Sequence, residues 1–324
     1  MNVTVDRFEE YIAQKDAIGI GKVLYVDAAN GKSQRTGRSP GQANASIVTA
    51  LSKAITGRND LIKLLASTSA DNLAAALVWS KNLVHLIGEG SKGRYNQRSR
   101  LGHSANFSPI LTISGYGNSI ESAYFAHGRG SATNLVLLDV TGPRNSFINC
   151  HFGGPFHATE AGTAGYRLVK LESSETFFKG CVFGGGTIAA TAALSFIEFG
   201  AQADPPRARF EGCTFINLVS AAGGAGSTFL KVAAGCGAGL AEFSNCKFIN
   251  IGSTAMTVGI DGAGLGNFKM AFDSNCYFHG CTDVVADAYA ASVVFPQANL
   301  AVNAVTGGAS VALFNGLSVP ADAS

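Results

Sequence analysis

The chain has 324 residues, of which only 14% are charged, and its formal net charge at neutral pH is +2. A single compact core rarely extends beyond about 250–300 residues. A solenoid can exceed that length because each repeat contacts only its neighbours. No segment reaches the ~18 uninterrupted apolar residues of a membrane span, so no membrane partner is expected.

The charge is unevenly distributed along the chain. Residues 1–108 carry a net charge of +6 and residues 109–324 a net charge of −4, with basic clusters at 32–38 and 92–100. Aromatic residues are nearly absent from these clusters, whereas surfaces that bind single-stranded nucleic acid combine both residue types. The preferred interpretation is that the two basic clusters lie in solvated loops or dock on an acidic protein surface. A nucleic-acid partner is not expected.

The N-terminus shows no basic stretch followed by an apolar one, so no secretory signal is predicted and synthesis in a host cytoplasm is expected. Residues 6–16 fit a short amphipathic helix, with Asp6 as its N-cap and Phe8, Tyr11 and Ile12 on one face.

A second helix is predicted at residues 46–55, capped by Asn44 or Ser46 and ended by Gly57. Residues 70–79 fit either a third helix or a strand. Because the open end of a solenoid exposes an unpaired strand edge, residues 1–80 are predicted to form an N-terminal capping module.

A repeat of the form Phe-x-x-Cys-x-Phe decides the fold class. Four regular copies contain Cys150, Cys181, Cys213 and Cys246, and a fifth, at Cys276, has one inserted residue. Successive cysteines are 31, 32, 33 and 30 residues apart, and a degenerate copy has Ala123 in the cysteine position. The second phenylalanine of each copy is Phe152, Phe183, Phe215, Phe248 or Phe278.

A second strand lies between successive cysteine strands, in which one residue is flanked by two apolar ones. Its copies are Leu138-Asp139-Val140, Val169-Lys170-Leu171, Ile197-Glu198-Phe199, Leu230-Lys231-Val232 and Val258-Gly259-Ile260. Two strands recurring every ~30 residues predict an all-β fold, a right-handed parallel β-helix over residues 81–283. An antiparallel sandwich predicts turns every ~8–12 residues. It does not explain why a cysteine recurs at the same position of each ~31-residue unit.

The cysteines are predicted to form, with the second phenylalanines, a buried ladder of stacked side chains. Cys236 and Cys281 fall outside the ladder, and an odd total with one cysteine per coil is not a disulfide framework. Free buried thiols are therefore expected, with no metal and no cofactor, since no zinc-ligand spacing occurs. Asn149, Asn217, Asn245 and Asn250 are predicted at coil corners, where asparagine tolerates left-handed backbone.

Three segments resemble the N-terminal module and first coil of pectate-lyase-like β-helix proteins. They are VLYVDAANG at 23–31, the GRSP turn at 37–40 and SKNLVHLIGEG at 80–90. The resemblance spans about residues 22–280 and implies a fold more than a function, since the group includes phage tailspikes, other phage appendage or head proteins, and polysaccharide lyases and hydrolases. One departure is that residues 66–71 (ASTSAD) replace the Pro-Gly-x-Tyr step common in that group.

Catalytic residues cannot be assigned from motifs, because the group's hydrolase signatures do not occur. The outward residues of the second strand, Asp139, Lys170, Glu198 and Lys231, alternate in charge. The preferred interpretation is a cross-strand charge ladder. The alternative is a catalytic dyad of Asp139 and Glu198 with Lys170 between them, although a lysine in that position is expected to lower the pKa of both carboxyl groups.

The function predicted is that of a homotrimeric structural protein of a bacteriophage virion, a capsid decoration or tail-associated protein that binds other virion proteins. Low charge and the Ala- and Gly-rich segments at 189–193, 221–226 and 233–241 favour it. The alternative is a tailspike-like depolymerase of bacterial surface polysaccharide; glycan binding without turnover is a third possibility. Residues 284–324 are predicted to form closing strands at 293–295, 300–302 and 311–314.

Overall fold

The computed structural model describes residues 21–90, 99–133, 135–201, 206–262, 264, 267–285 and 293–294. The helix predicted at residues 6–16 and the closing strands predicted at 300–302 and 311–314 lie outside the described residues. The short strand predicted from residue 293 is present at Val293–Val294.

The described residues form three parallel sheets, with strands numbered in chain order. Sheet A contains β1 (Val23–Val26), β2 (Asp60–Leu64), β5 (Val84–Gly88), β8 (Ser119–Glu121), β11 (Ser146–Ile148), β14 (Thr176–Lys179), β17 (Arg207–Glu211), β20 (Leu240–Ser244), β23 (Lys269–Phe272) and β26 (Val293–Val294). Sheet B contains β3 (Asp71–Leu73), β6 (Arg100–His103), β9 (Tyr124–Ala126), β12 (His151–Gly153), β15 (Val182–Gly184), β18 (Thr214–Asn217), β21 (Lys247–Asn250) and β24 (Tyr277–His279). Sheet C contains β4 (Leu77–Trp79), β7 (Leu111–Ile113), β10 (Val136–Val140), β13 (Arg167–Leu171), β16 (Ser195–Phe199), β19 (Thr228–Val232), β22 (Met256–Asp261) and β25 (Cys281–Val285).

The chain visits sheets A, B and C in that order on every coil. From β2 onward, each strand pairs in parallel with the strand three further along the chain. Side chains at equivalent positions therefore lie over one another at the ~4.8 Å spacing between strands. The predicted parallel β-helix is confirmed.

Each coil has three strands where the sequence predicted two, because the Phe-x-x-Cys-x-Phe repeat spans a corner between sheets A and B. Phe147 lies in β11 and Phe152 in β12, and only Asn149 and Cys150 separate these strands. The first corner residue adopts a left-handed backbone, with a φ of 52° at Asn149 and 62° at Gly180. This conformation turns the chain sharply within two residues. The sequence pattern does not reveal it because both phenylalanines still point inward.

All four asparagines lie at or beside corners of a coil, but the left-handed backbone that the prediction associates with them is present at only two. Asn149 and Asn245 are left-handed, whereas Asn217 and Asn250 are the last residues of β18 and β21. The buried Asn250 side chain instead accepts a hydrogen bond from the Val219 backbone and donates one to the Gly280 carbonyl, at 3.0 and 2.9 Å. Its role is to satisfy backbone groups where the chain leaves sheet B.

The interior holds two columns of stacked phenylalanine rings. The sheet A column is Phe147, Phe178, Phe210, Phe243 and Phe272, and the sheet B column is Phe125, Phe152, Phe183, Phe215, Phe248 and Phe278. Centroids within a column are 4.2–5.2 Å apart, and rings of the two columns meet mainly edge to face. Both geometries are favourable for aromatic pairs.

A third column consists of the cysteines at the corner between sheets A and B. Each thiol donates to a backbone carbonyl of the preceding coil: Cys150 to Ile120, Cys181 to Phe147, Cys213 to Phe178, Cys246 to Phe210 and Cys276 to Phe243, at 3.3–3.6 Å. All seven cysteines of the chain are free and buried. The thiols thus fill space and satisfy carbonyl groups.

The native protein is expected not to react with a chromogenic disulfide reagent, whereas the unfolded chain should release seven equivalents. Thiol reactivity requires an accessible thiolate, and burial raises the pKa of Cys236 to about 11. The titration is read by absorbance with and without denaturant. Rapid modification of several cysteines in the native state would contradict this arrangement.

A helix is present within the segment predicted at residues 46–55. Helix α1 (Ile47–Lys53) begins after Ser46, whose side chain accepts from the Thr49 backbone, and the Asp71 carboxylate accepts from the Ile47 backbone. The ambiguous segment 70–79 forms strands β3 and β4. The first coil, β2–β4, thus lies within the segment predicted as the capping module. The other helical segments among the described residues are α2 (Ala158–Ala161) and 3₁₀ turns at Pro40–Gln42 and Ala222–Gly226.

Candidate functional site

Sheet C carries a column of charged side chains on its outer surface, in the order predicted for its first four members. The register aligns Asp139, Lys170, Glu198, Lys231 and Asp261 on five successive coils. These five residues are called the sheet C column. The sequence predicted Gly259 as its fifth member, but Ile260 pairs with Leu230, so the column continues at Asp261. Gly259 is buried beside the Phe278 ring, where a β-carbon would lie 3.1 Å from that ring.

The ion pairs of this column run to residues outside it. The Arg167 Nε lies 2.6 Å from the Glu198 Oε2, and the Glu198 side chain is only 5% exposed. The Lys170 Nζ lies 2.5 Å from the Glu172 Oε1. Within the part of the chain that the structure describes, no ion pair joins neighbouring members of the column.

A glycine on the next coil leaves the space that the Glu172 side chain occupies. A β-carbon on Gly200 would lie 2.6 Å from the Glu172 Cγ, so the missing side chain at Gly200 lets this carboxylate pack against the sheet. Lys170 is therefore drawn along its own strand, toward Glu172, rather than across to Asp139 or Glu198. The outer surface of sheet C at this level consists of two pairs, Arg167–Glu198 and Lys170–Glu172, with Asp139 beside them.

Asp139 is the least stabilised charge of the column. The pKa of Asp139 is raised to about 6, chiefly by burial and also by the nearby Glu172 carboxylate, and Lys170 opposes these effects only in part. Its Oδ1 atom is buried and has no hydrogen-bond partner among the described residues. Lys170 opposes the rise, as expected, but the net pKa of Asp139 is raised because the effect of burial outweighs that of the lysine, which pairs with Glu172.

Chemically, this arrangement offers a proton donor near neutral pH beside ionised groups. Two strand spacings separate Asp139 from Glu198, about 9.6 Å, just beyond the upper end of the ~6.5–9.5 Å used by inverting glycosidases. Against catalysis, Glu198 is buried in a pair with Arg167 and is poorly placed to contact a substrate. The geometry brings the predicted residues Asp139, Lys170 and Glu198 into one column but leaves only Asp139 poised for proton transfer.

Asp139→Asn is expected to stabilise the protein by about 1–2 kcal/mol at pH 7.5, after allowing for partial exposure of the site. A raised pKa in the folded state means that ionising Asp139 costs stability, and that this cost is complete above pH ~6. The difference between variant and native protein should therefore shrink as pH falls toward 4. Urea unfolding of both proteins between pH ~4 and ~7.5 measures this difference in stability. Histidines such as His85 and His151, whose pKa values burial lowers, affect both proteins equally, so their effect cancels in the difference.

A constant difference between the two proteins at all pH values would contradict an ionised, poorly solvated Asp139. Asp261→Asn, at the far end of the same column, provides the matched control.

A groove on the outer surface of sheet A is a second candidate site, and the sequence reasoning missed it. Its volume is about 520 Å³, within the ~300–1,000 Å³ typical of ligand pockets. It is lined by residues of three successive coils: Glu175, Thr176, Phe177, Arg207, Ala208, Arg209, Glu211, Leu240 and Glu242. These residues define the sheet A groove.

Phe177 is the signal that could have revealed this groove. It occupies an outward column whose other members are Ser119, Ser146, Arg209, Glu242 and Ala271. The repeat concealed it, because the adjacent Phe178 belongs to the interior column. The doublet Phe177-Phe178 places one ring inside the solenoid and one, half-buried, on its surface.

Two kinds of feature are absent from the described residues. No group of three or more His, Cys, Asp or Glu side chains there could hold a metal ion. Across those same ranges, no helix is long and apolar enough to cross a membrane.

Solved structures give the fold an independent comparison. A pectate lyase, Pel9A, superposes with a TM-score of 0.56 at 11% identity, covering 82% of this chain and 65% of its own. A rhamnogalacturonan lyase gives 0.55 at 11% identity, covering 80% and 68%. This chain has the parallel β-helix fold of those lyases.

The likeness of this β-helix to both enzymes concerns architecture alone, because identity is so low. It spans slightly less than two thirds of the pectate lyase. The ORF18 protein of Geobacillus virus E2 aligns over 94% of this β-helix, but its TM-score of 0.36 supports no argument. No protein-family model and no curated protein matches the sequence.

Proposed function

We propose that this β-helix is a structural component of a bacteriophage particle, made in the host cytoplasm and assembled as a homotrimer on the capsid or tail. The observation that carries the proposal is the continuous interior stack, in which aromatic and thiol columns run through successive coils without a break. Such packing gives a stiff, elongated body, because each coil buries its side chains against both neighbours.

The corner loops between sheets B and C support a role in assembly. Loops 185–194 and 218–227 stack on one another, since Ala190 pairs with Val219 and a β-carbon on Gly224 would lie 2.2 Å from the Ala190 carbonyl. Two Ala- and Gly-rich segments thus share one edge, where small side chains permit close approach of another chain. The third such segment, 233–241, lies on the edge between sheets C and A, away from the other two.

Light scattering on the purified protein tests the oligomeric state, with an expected mass of three chains. Mass spectrometry of purified phage particles tests its location, and the chain should be present in a fixed ratio to the major capsid protein. A monomer in solution that is absent from particles would reject the proposal.

A second candidate function, depolymerisation of bacterial surface polysaccharide on sheet C, is favoured by one observation: the raised pKa of Asp139. A general acid needs a pKa near the working pH. Incubation with capsule or lipopolysaccharide, followed by assays for reducing ends and unsaturated uronates, tests it. Turnover that disappears in Asp139→Asn and in Glu198→Gln would support it, and turnover retained in both would exclude this site.

A further inference from the structure

We propose that the sheet A groove binds an acidic sugar residue of a glycan, with the sugar carboxylate held by Arg207 and Arg209 and the ring seated on Phe177. The groove lies on a different sheet from the sheet C column. The inference goes beyond the structural role proposed above and requires no turnover.

Arg207 and Arg209 have guanidinium N–H donors that are not engaged in close ion pairs. They are two residues apart on β17, so their side chains leave the same face of the sheet about 6.7 Å apart. Their side chains are 63% and 58% exposed, and their ion pairs to Glu175 and Glu211 are long, at 3.6 and 3.9 Å.

Those two glutamates already have closer partners. Arg144 lies 2.6 Å from Glu175, and Lys179 lies 2.9 Å from Glu211. Each of these two carboxylates is therefore paired more closely with another basic side chain than with Arg207 or Arg209. Planar guanidinium groups bind a free carboxylate in a bidentate manner, and these two face the groove with donors available.

An apolar surface lies directly beside the arginines. Phe177 pairs in register with Arg209, and Leu240 pairs with Arg207 and is 39% exposed. Among the described aromatic residues, none stacks on the outer face of Phe177. A half-buried ring offers a flat surface with little entropy to lose, which suits the C–H face of a pyranose ring.

The glutamates of the groove favour a sugar over an acidic peptide. Glu175, Glu211 and Glu242 line the same groove, and carboxylates accept hydrogen bonds from hydroxyl groups. A uronate residue supplies one negative charge for the arginines and several hydroxyls for the glutamates. A peptide rich in Asp and Glu supplies only charge, and these three carboxylates would repel it.

Calorimetric titration with tri-galacturonate tests the proposal, with maltotriose as the neutral counterpart. Saturable binding of the acidic trisaccharide alone is expected, and it should weaken as salt increases. Phe177→Ser, which introduces the residue found at Ser146 one coil earlier, and Arg209→Gln should each reduce the affinity at least about tenfold. Lys247→Gln on sheet B should leave it unchanged.

Several results would overturn the proposal. One is the absence of saturable binding at millimolar tri-galacturonate. Another is unchanged affinity in both groove variants, with circular dichroism showing that they fold. Binding of hexaglutamate in preference to the sugar would assign the groove to acidic peptides. Equal competition by inorganic sulfate, with Phe177→Ser unaffected, would reduce it to a simple anion site.

Discussion

Replacing Phe210 by alanine is expected to lower the free energy of unfolding by about 3–5 kcal/mol, the cost of truncating a fully buried aromatic side chain. Phe210 is 0% exposed and stacks between Phe178 and Phe243, with centroid distances of 4.8 and 4.7 Å. It also meets Phe183 edge to face at 6.3 Å. Alanine here interrupts both the stack and its contacts with the other column, and urea unfolding followed by circular dichroism measures the loss.

The matched control is Phe177→Ala, which removes the same atoms one coil earlier from the surface of the same sheet. A loss below about 1 kcal/mol is expected there, as for most surface changes. Phe210→Leu should cost less than Phe210→Ala, because Ile120 already occupies this column at β8. Equal losses in Phe210→Ala and Phe177→Ala would mean that the stack is not the source of stability.

Arg167→Met is expected to destabilise the protein by about 2–4 kcal/mol, because it leaves the buried Glu198 carboxylate without its partner. The Glu198 side chain is 5% exposed and that of Arg167 25%, so the surrounding water compensates poorly. The double variant Arg167→Met, Glu198→Leu should recover most of the loss, since a buried pair can be replaced by apolar groups at little cost. Chemical unfolding of the two single variants and the double variant measures the coupling.

Arg144→Met is the control for this experiment. The Arg144–Glu175 pair has the same 2.6 Å separation, but its side chains are 70% and 40% exposed. Exposed pairs often contribute nothing measurable, so no resolvable change in stability is expected. A similar loss in Arg144→Met and Arg167→Met would show that burial does not set the contribution of these pairs.

The fold could be predicted from the sequence because the same residue type, cysteine, occupies the same position in successive coils. Parallel coils place the cysteine of each repeat over the cysteine of the one before, and this shows as a nearly constant spacing. The number of sheets could not be predicted in the same way. The third strand is created by a left-handed backbone at residues as different as Ser122, Asn149 and Gly180, so no residue type marks the corner.

Of the candidate site, the alternation of apolar and charged residues predicted the order of Asp139, Lys170, Glu198 and Lys231. It could not predict their partners, because Arg167 and Glu172 lie elsewhere on their strands and their orientation depends on local space, such as that left by Gly200. The pKa of Asp139 was predicted with the wrong net sign because burial of the carboxyl group, which the sequence does not show, outweighs the lowering by Lys170. The sheet A groove was missed because the sequence analysis relied on residue types that recur from coil to coil, and the outward Phe177 is not part of such a repeat.

The unequal corners of this solenoid determine where it could accept foreign sequence. Between sheets A and B the regular coils allow only two residues, whereas the loops from sheet B to sheet C range from one residue at Gly280 to thirteen at 154–166. Loop length therefore varies most along the edge between sheets B and C. A grafted epitope or enzyme displayed from the exposed residues 104–106 of this edge, several coils from the Ala- and Gly-rich loops proposed for assembly, would leave the stacked interior intact.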